Sequence, residues 1–291
     1  VVLLPLFGGW TAHMSMTVIL LALTAAVLHA TWNAFLRSGA DRLWVLTVMS
    51  FAGTLVSIPL VILLPIPSAE AWPYILLSAL FQTGYGFFLV AAYRYGQLGQ
   101  VYPIVRGTAP LLVMLGAFLL TGIVPSQLQI VGVAIIAVGI MSLAFARGGA
   151  STSSILLAFA TGLFVASYQT ADAIGVRFAE NAIAYSAWGN ICFGIFLPLC
   201  VLAVRRQFSV DWNNRETHKA LFGGAISMVS YTLVIIAFSI GSAGPVSALR
   251  ETSVVFAVLI GWLFLGEKLN AWRILSAVIV AIGAICLGLA R

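Results

Sequence analysis

Residues 244–269 read GPVSALRETSVVFAVLIGWLFLGEKL, and residues 100–125 read QVYPIVRGTAPLLVMLGAFLLTGIVP. Set against each other without a gap, Arg106 falls on Arg250, Thr108 on Thr252, Leu115 on Leu259, Leu119 on Leu263 and Gly122 on Gly266. The register continues to the end of the chain, where Ile135, Ala137, Gly139, Leu143, Ala146 and Arg147 meet Ile279, Ala281, Gly283, Leu287, Ala290 and Arg291. Each copy starts at a helix-opening proline, carries an arginine a turn or so later, and then runs apolar. A polar, proline-started helix that occurs twice in an apolar chain is the signature of a duplicated architecture with a shared site.

Composition fixes the setting. Of 291 residues, 62% are hydrophobic and only 8% are charged, and the mean hydropathy is +1.10. Soluble domains carry about 25% charged residues. Apolar runs repeatedly reach about 20 residues, the length of a helix across a bilayer core. They are continuous, without the alternation of a membrane barrel strand. The expectation is an all-α membrane protein, and a soluble enzyme is excluded. The net charge of +6 gathers at span ends, where it reports topology rather than nucleic-acid binding. Cys192, Cys200 and Cys286 lie in apolar runs without metal-ligand spacing and read as small core residues. No metal site and no cofactor are expected.

Turn and charge signals divide the chain into ten spans: 16–36, 43–64, 72–93, 102–121, 126–146, 155–174, 183–204, 218–240, 245–265 and 271–290. Ile19–Leu23 (ILLAL) matches Ile155–Phe159 (ILLAF), and Thr31-Trp32-Asn33 then aligns with Ser167-Tyr168-Gln169. The domains are therefore a first five-helix repeat over 16–147, a connector over 148–154, and a second five-helix repeat over 155–291. Five is odd, so a short connector makes the second repeat enter the membrane in the opposite sense. This is a five-plus-five inverted-topology repeat around a central cavity. Residues 1–15 lack the basic region of a signal peptide. They read as a leading segment apart from the fold, with His13-Met14 as a junction and Met14 or Met16 as a natural start.

Ten spans in this arrangement, each half closing with a Pro/Gly-started polar helix and a small-residue helix, resemble the drug/metabolite transporter superfamily. The segment VVFAVLIGWLFLGEKLNAWRILSAVIVAIGAICLGL (254–289) is similar to the closing signature of its EamA-type branch. Within that branch the aromatic complement resembles a YddG-type amino-acid exporter. The resemblance implies a multi-pass protein of a bacterial inner membrane, with cytoplasmic termini. The loop charges give the opposite sense. Arg37, Arg42, Arg94, Arg147, Arg205, Arg206, Arg215, Lys219, Lys268 and Arg273 all follow odd-numbered spans, which puts the termini outside.

Polar groups are costly in hydrocarbon and face a bundle interior or wet cavity. The first span offers His29, Trp32 and Asn33 on one face; the sixth offers Tyr168, Gln169 and Asp172. Gln82 and Tyr85 come from the third, Ser227, Ser230 and Tyr231 from the eighth, and Tyr185, Trp188 and Asn190 from the seventh. The fourth and ninth add Tyr102, Arg106, Arg250 and Glu251. The substrate-binding set is His29, Trp32, Asn33, Gln82, Tyr85, Tyr102, Arg106, Tyr168, Gln169, Trp188, Tyr231 and Arg250. Arg106 and Arg250 either snorkel to headgroups or serve an anion at a helix N-terminus. The aromatic residues either line the cavity or form an interfacial belt. Pro103, Pro110 and Pro245 are gating positions, with Pro110 expected to kink the fourth span. His29, Asp172 and Glu251 are the candidate proton carriers, and Asp172 reads equally as a solvated cap. Small residues on the fifth span (Gly132, Ala134, Gly139) and the tenth (Ala277, Ala281, Ala284, Gly288) allow close helix contact, as scaffold first and dimer face second.

The function expected is export of small amphipathic metabolites, foremost aromatic and other apolar amino acids, by alternating access. Proton-coupled efflux of drugs or other metabolites is the alternative, and a channel or an intramembrane enzyme comes behind both. No HExxH or GxSxG is present and no phosphate-cradling loop. The partners expected are a small-molecule substrate and the lipid bilayer, with no nucleic acid; a monomer is the simpler oligomeric expectation.

Overall fold

The structure, a computed structural model, describes residues 14–39, 41–95, 98–145, 151–265 and 271–290. The Gly266-Glu267-Lys268 turn, Arg147, Arg291 and most of the leading segment lie outside the described residues.

Among the described residues eleven helices follow one another: α1 (Met16–Ser38), α2 (Arg42–Leu63), α3 (Trp72–Tyr95), α4 (Leu98–Thr121), α5 (Gln127–Phe145), α6 (Thr152–Gly175), α7 (Ala182–Arg205), α8 (Arg215–Ile240), α9 (Ala243–Glu251), α10 (Ser253–Leu265) and α11 (Ala271–Leu289). The ninth span is thus two helices, and no strand occurs among the described residues. Nine described stretches are long and apolar enough to cross a membrane, α9 and α10 sharing one of them. The 24-residue α3 is the remaining column of the ten.

Local sequence sets the helix starts. Side chains of Ser15, Asp41, Ser151, Asn181 and Asn214 accept from free N–H groups in the first turns of α1, α2, α6, α7 and α8. The cap at Ser151 starts α6 three residues before the expected span, inside the stretch read as connector. Gly122, with φ 73°, closes α4 in the left-handed conformation that a side chain would resist.

The packing shows the inverted repeat. α1 lies on α8 as α6 lies on α3, and α2 lies on α8 as α7 lies on α3. α4 meets α6 as α9 and α10 meet α1, while α2–α7 and α5–α11 join equivalent helices of the two halves. The α5–α11 crossing is close because it is built on glycine. A Cβ added to Gly283 would lie 2.9 Å from the Gly132 carbonyl, and one added to Gly132 would lie 3.2 Å from the Gly283 carbonyl. The Ser276 hydroxyl donates to the Gly139 carbonyl. The buried stripe of α11 is therefore Ser276, Val280, Gly283 and Leu287. Of the small residues expected there, Ala281 faces outward and Gly288 has no close neighbour, so the stripe runs along a different face of the helix. Large apolar side chains such as Leu55, Ile62, Leu119, Leu156, Leu199 and Ile285 cover the outside, as a bilayer requires.

Two ends follow from the topology. A terminal end collects the start of α1, the α6–α7 and α8–α9 connections and the end of α11. A basic end collects Arg42, Arg205, Arg206, Arg215, Lys219 and Arg273. Toward the terminal end the interior is filled by Val18, Ala22, Ile75, Tyr185, Ile235, Phe238, Val246 and Leu249, all buried.

Candidate binding cavity

A cavity of about 630 Å³ lies between the halves, lined by His29, Trp32, Leu46, Gln82, Tyr85, Arg106, Tyr168, Asn190, Phe193, Ser227, Ser230, Tyr231 and Arg250. Eight helices contribute to it. Its α1, α2 and α4 residues come from the parts of those helices nearer the basic end, whereas the terminal end is the side filled by the large apolar cluster.

Arg106 and Arg250 do not snorkel: they are 1% and 7% exposed. From their equivalent positions they take different partners. Arg106 Nη1 donates to both carboxylate oxygens of Glu251 at 3.2 Å each, a buried ion pair that ties α4 to α9. The Tyr102 ring lies 5.0 Å from the Arg106 Cζ and packs behind it as a cation–π partner. Arg250 Nη1 instead donates to the Tyr168 hydroxyl at 3.1 Å. No carboxylate stands within ion-pair distance of Arg250 among the described residues. Neighbours in sequence, Arg250 and Glu251 point apart on the helix, which lets Glu251 serve the other half.

The aromatic wall is formed by Trp32, Tyr85, Tyr168 and Phe193. Tyr85 and Tyr168 face each other with ring centroids 6.3 Å apart, and His29 meets Trp32 edge-on at 4.7 Å. Trp32 and Tyr168 are thus cavity residues rather than a headgroup belt. The polar wall is pre-set by bonds to the scaffold: Ser230 donates to the Ala25 carbonyl at 2.8 Å, Asn190 to the Ser186 carbonyl at 2.9 Å, and Gln82 to the Ser78 hydroxyl at 3.0 Å.

Of the expected binding residues, eight line the cavity: His29, Trp32, Gln82, Tyr85, Arg106, Tyr168, Tyr231 and Arg250. Four do not. Asn33 turns back to the His29 carbonyl at 3.0 Å, and Tyr102 supports Arg106 from behind. Gln169 is fully buried elsewhere, and Trp188 packs on Trp72 with centroids 5.0 Å apart. Leu46 and Phe193 were not anticipated, since an apolar residue within an apolar span gives no signal. Asn190, Ser227 and Ser230 were legible as polar positions on inward faces.

The gating expectations shift. α4 remains one helix through Pro103 and Pro110, although Pro110 has no N–H to give to the Arg106 carbonyl. The interruption falls in the ninth span, at Thr252. There the backbone tightens, with the Thr252 N–H on the Leu249 carbonyl at 3.2 Å and the Thr252 hydroxyl on the same carbonyl at 2.6 Å. Pro245 lines a second, mostly apolar cavity of about 530 Å³ toward the terminal end, with Met114, Phe118, Thr121, Gln129, Arg177 and Gly244. Arg177 in its wall donates to the Phe238 and Gly241 carbonyls at the end of α8. α9 therefore separates two cavities, touching one with Arg250 and the other with Gly244 and Pro245.

Asp172 is no solvated cap. It is 1% exposed, and it accepts from the hydroxyls of Tyr231 at 3.0 Å and Tyr185 at 3.3 Å.

Comparison with known proteins agrees with this architecture. The model of the EamA-like transporter family matches residues 16–145 and again residues 152–289, once for each half. No curated protein matches the sequence. Among solved structures 29 chains match. One, described as a crystal structure of a protein, has a TM-score of 0.72 at 19% identity, over 92% of this chain and 94% of that one. That likeness concerns the fold alone.

Proposed function

The chain belongs to the EamA-like transporter family, whose members carry small molecules across membranes, and from that premise we propose that it exports small amphipathic metabolites, foremost aromatic and other apolar amino acids. The observation that carries this reading is Arg250. It is a buried cation in the cavity wall with a tyrosine hydroxyl and, among the described residues, no carboxylate for a partner. A substrate carboxylate supplies what that position lacks, and a charge-assisted hydrogen bond of this kind contributes about 1.5–3 kcal/mol.

The rest of the wall suits the remainder of such a molecule. Trp32, Tyr85, Phe193 and Leu46 give an apolar and aromatic surface for a side chain, while Asn190, Ser227, Ser230 and Tyr231 offer oxygens to an ammonium group. A cationic drug fits less well. It would meet Arg106 and Arg250 in the wall, while the nearest free carboxylate, Asp172, stands behind Tyr231.

Direction follows from charge. With the basic end in the cytoplasm, the cavity residues of α1, α2 and α4 lie toward the cytoplasmic side, the state in which an exporter loads. Both termini then face outward. Alternating access needs the α9 partition and its partner helices to rock between the two cavities, with Pro245 and the Thr252 break as pivots.

The direct test is counterflow of radiolabelled phenylalanine and threonine into proteoliposomes preloaded with the same amino acid. Exchange with a preference for phenylalanine is expected. Folded, reconstituted protein that exchanges no amino acid would overturn the assignment.

A further inference from the structure

We propose that Asp172 is the proton-binding group of the transport cycle, and that it is coupled to the substrate cavity through the hydroxyl of Tyr231. The inference rests on the substrate reading above only for the molecule used to follow transport.

Three ionisable groups within the bundle come into question, and the structure separates them. Glu251 is committed to Arg106 across the two halves. His29 packs against Trp32 and has Asn33 bonded to its backbone. Asp172 alone is a buried carboxylate with no cation within ion-pair distance among the described residues. Its hydrogen-bond partners are hydroxyls from two other helices: Tyr185 on α7 and Tyr231 on α8. The other ionisable groups on the elements around it are Tyr74 on α3, which lies beside Gly175, and Tyr168 on α6 and Arg250 on α9, which bond each other. α4 contributes Arg106, neutralised by Glu251. An ionisable side chain kept in a membrane bundle without a counter-ion is expensive, and such groups mark ion and proton pathways.

A cluster of hydroxyls can serve both protonation states, because each hydroxyl donates or accepts. As a carboxylate, Asp172 accepts from both tyrosines. The single O–H of Tyr231 is then engaged on Asp172, and its oxygen is left to face the cavity as an acceptor, suited to a substrate ammonium. When a proton arrives from bulk water, Asp172 gains an O–H of its own and donates it to a neighbouring hydroxyl oxygen. If Tyr231 receives it, the Tyr231 O–H is released to turn into the cavity as a donor, and the acceptor for the ammonium is gone. The proton and the substrate thus oppose each other through one shared hydroxyl, although Asp172 never touches the substrate. Binding one while releasing the other to water across the membrane is proton–substrate antiport, which lets an exporter work uphill.

Two measurements test this. First, pH-difference infrared spectroscopy of the purified protein should show the C=O stretch of a protonated carboxyl that titrates, is absent in Asp172→Asn, and shifts in Tyr231→Phe where a hydrogen bond is lost. A purely packing role for Asp172 gives no titrating band. Second, in proteoliposomes an imposed proton gradient should drive accumulation of labelled phenylalanine by the wild type. Asp172→Asn should lose that accumulation, and the pH profile of its gradient-free counterflow should be flattened. Absence of a titrating band assignable to Asp172, or gradient-driven accumulation by Asp172→Asn, would overturn the proposal. If no amino acid is exchanged at all, the substrate reading falls, and the infrared arm still decides the proton site.

Discussion

Arg106 and Arg250 hold the same position in the two repeats, and the difference between their surroundings explains most of the site. α4 is one helix with Gly107 after its arginine; the ninth span is broken after Arg250-Glu251. Gly107 is pressed against α5, where a Cβ would lie 2.4 Å from Met141 Cγ and 2.9 Å from the Ala137 carbonyl. No side chain fits there. At the equivalent place in the second half Glu251 has room, because α10 touches α11 only sparingly where α4 lies along α5. Glu251 crosses the interface and neutralises Arg106, and Arg250 is left with the Tyr168 hydroxyl and no ion pair among the described residues. On the proposed function, one unmatched residue converts a symmetric pair of arginines into one structural and one binding arginine.

The largest effect should come from removing that residue. Glu251→Gln leaves Arg106 buried and unpaired, a loss of about 3–5 kcal/mol, seen as a large fall in thermal unfolding temperature in detergent. An unchanged melting temperature would break the comparison at its root. Next, Arg250→Gln should weaken phenylalanine binding by about 10–100-fold, the worth of a charge-assisted hydrogen bond of about 1.5–3 kcal/mol, with little change in melting temperature. Gly107→Ala should cost about 1–3 kcal/mol of stability through overpacking against the α5 backbone, sharpening the claim that this position cannot copy Glu251.

The smallest effect belongs to the second mismatched position, where Asp41 in the first repeat aligns with Arg177 in the second. Asp41 pairs with Arg205 at the basic end, and the hydrogen bond from the Arg205 guanidinium holds its carboxyl below the usual carboxylate range. Its folded-state value is depressed, so its stabilisation is complete above the unfolded value of about 4 and is lost as pH falls through the lower folded value. Both side chains are partly exposed, so Asp41→Asn should cost less than about 1 kcal/mol near neutral pH. Unfolding temperatures of the two proteins should converge only in acid.

The sequence carries the fold almost entirely, because span lengths, the odd count per half and the repeated register are one-dimensional signals. The site is legible in part. Polar residues on inward faces, such as His29, Gln82, Tyr85, Tyr168 and Tyr231, stand out against an apolar chain, and all line the cavity. Leu46 and Phe193 do not stand out, since nothing distinguishes a cavity-facing leucine from a lipid-facing one. Asn33 and Tyr102 illustrate the opposite failure: the right residue type on a polar face, held by its own scaffold. The break at Thr252 could not be read from proline, because α4 stays helical through Pro103 and Pro110, while the ninth span, with Pro245 in its first turn, breaks seven residues later beside Arg250 and Glu251. The setting of Asp172 depends on Tyr185 and Tyr231 from two other helices, and no local pattern contains that meeting.

The central claim is that Arg250 takes the carboxylate of a small amphiphile, and binding of phenylalanine compared with phenethylamine, its decarboxylated analogue, tests it most directly. The wild type should bind phenylalanine more tightly by about 10–100-fold, and Arg250→Gln should erase that difference by weakening phenylalanine alone. Equal binding of the two ligands by the wild type, or a preference that survives in Arg250→Gln, would contradict the account.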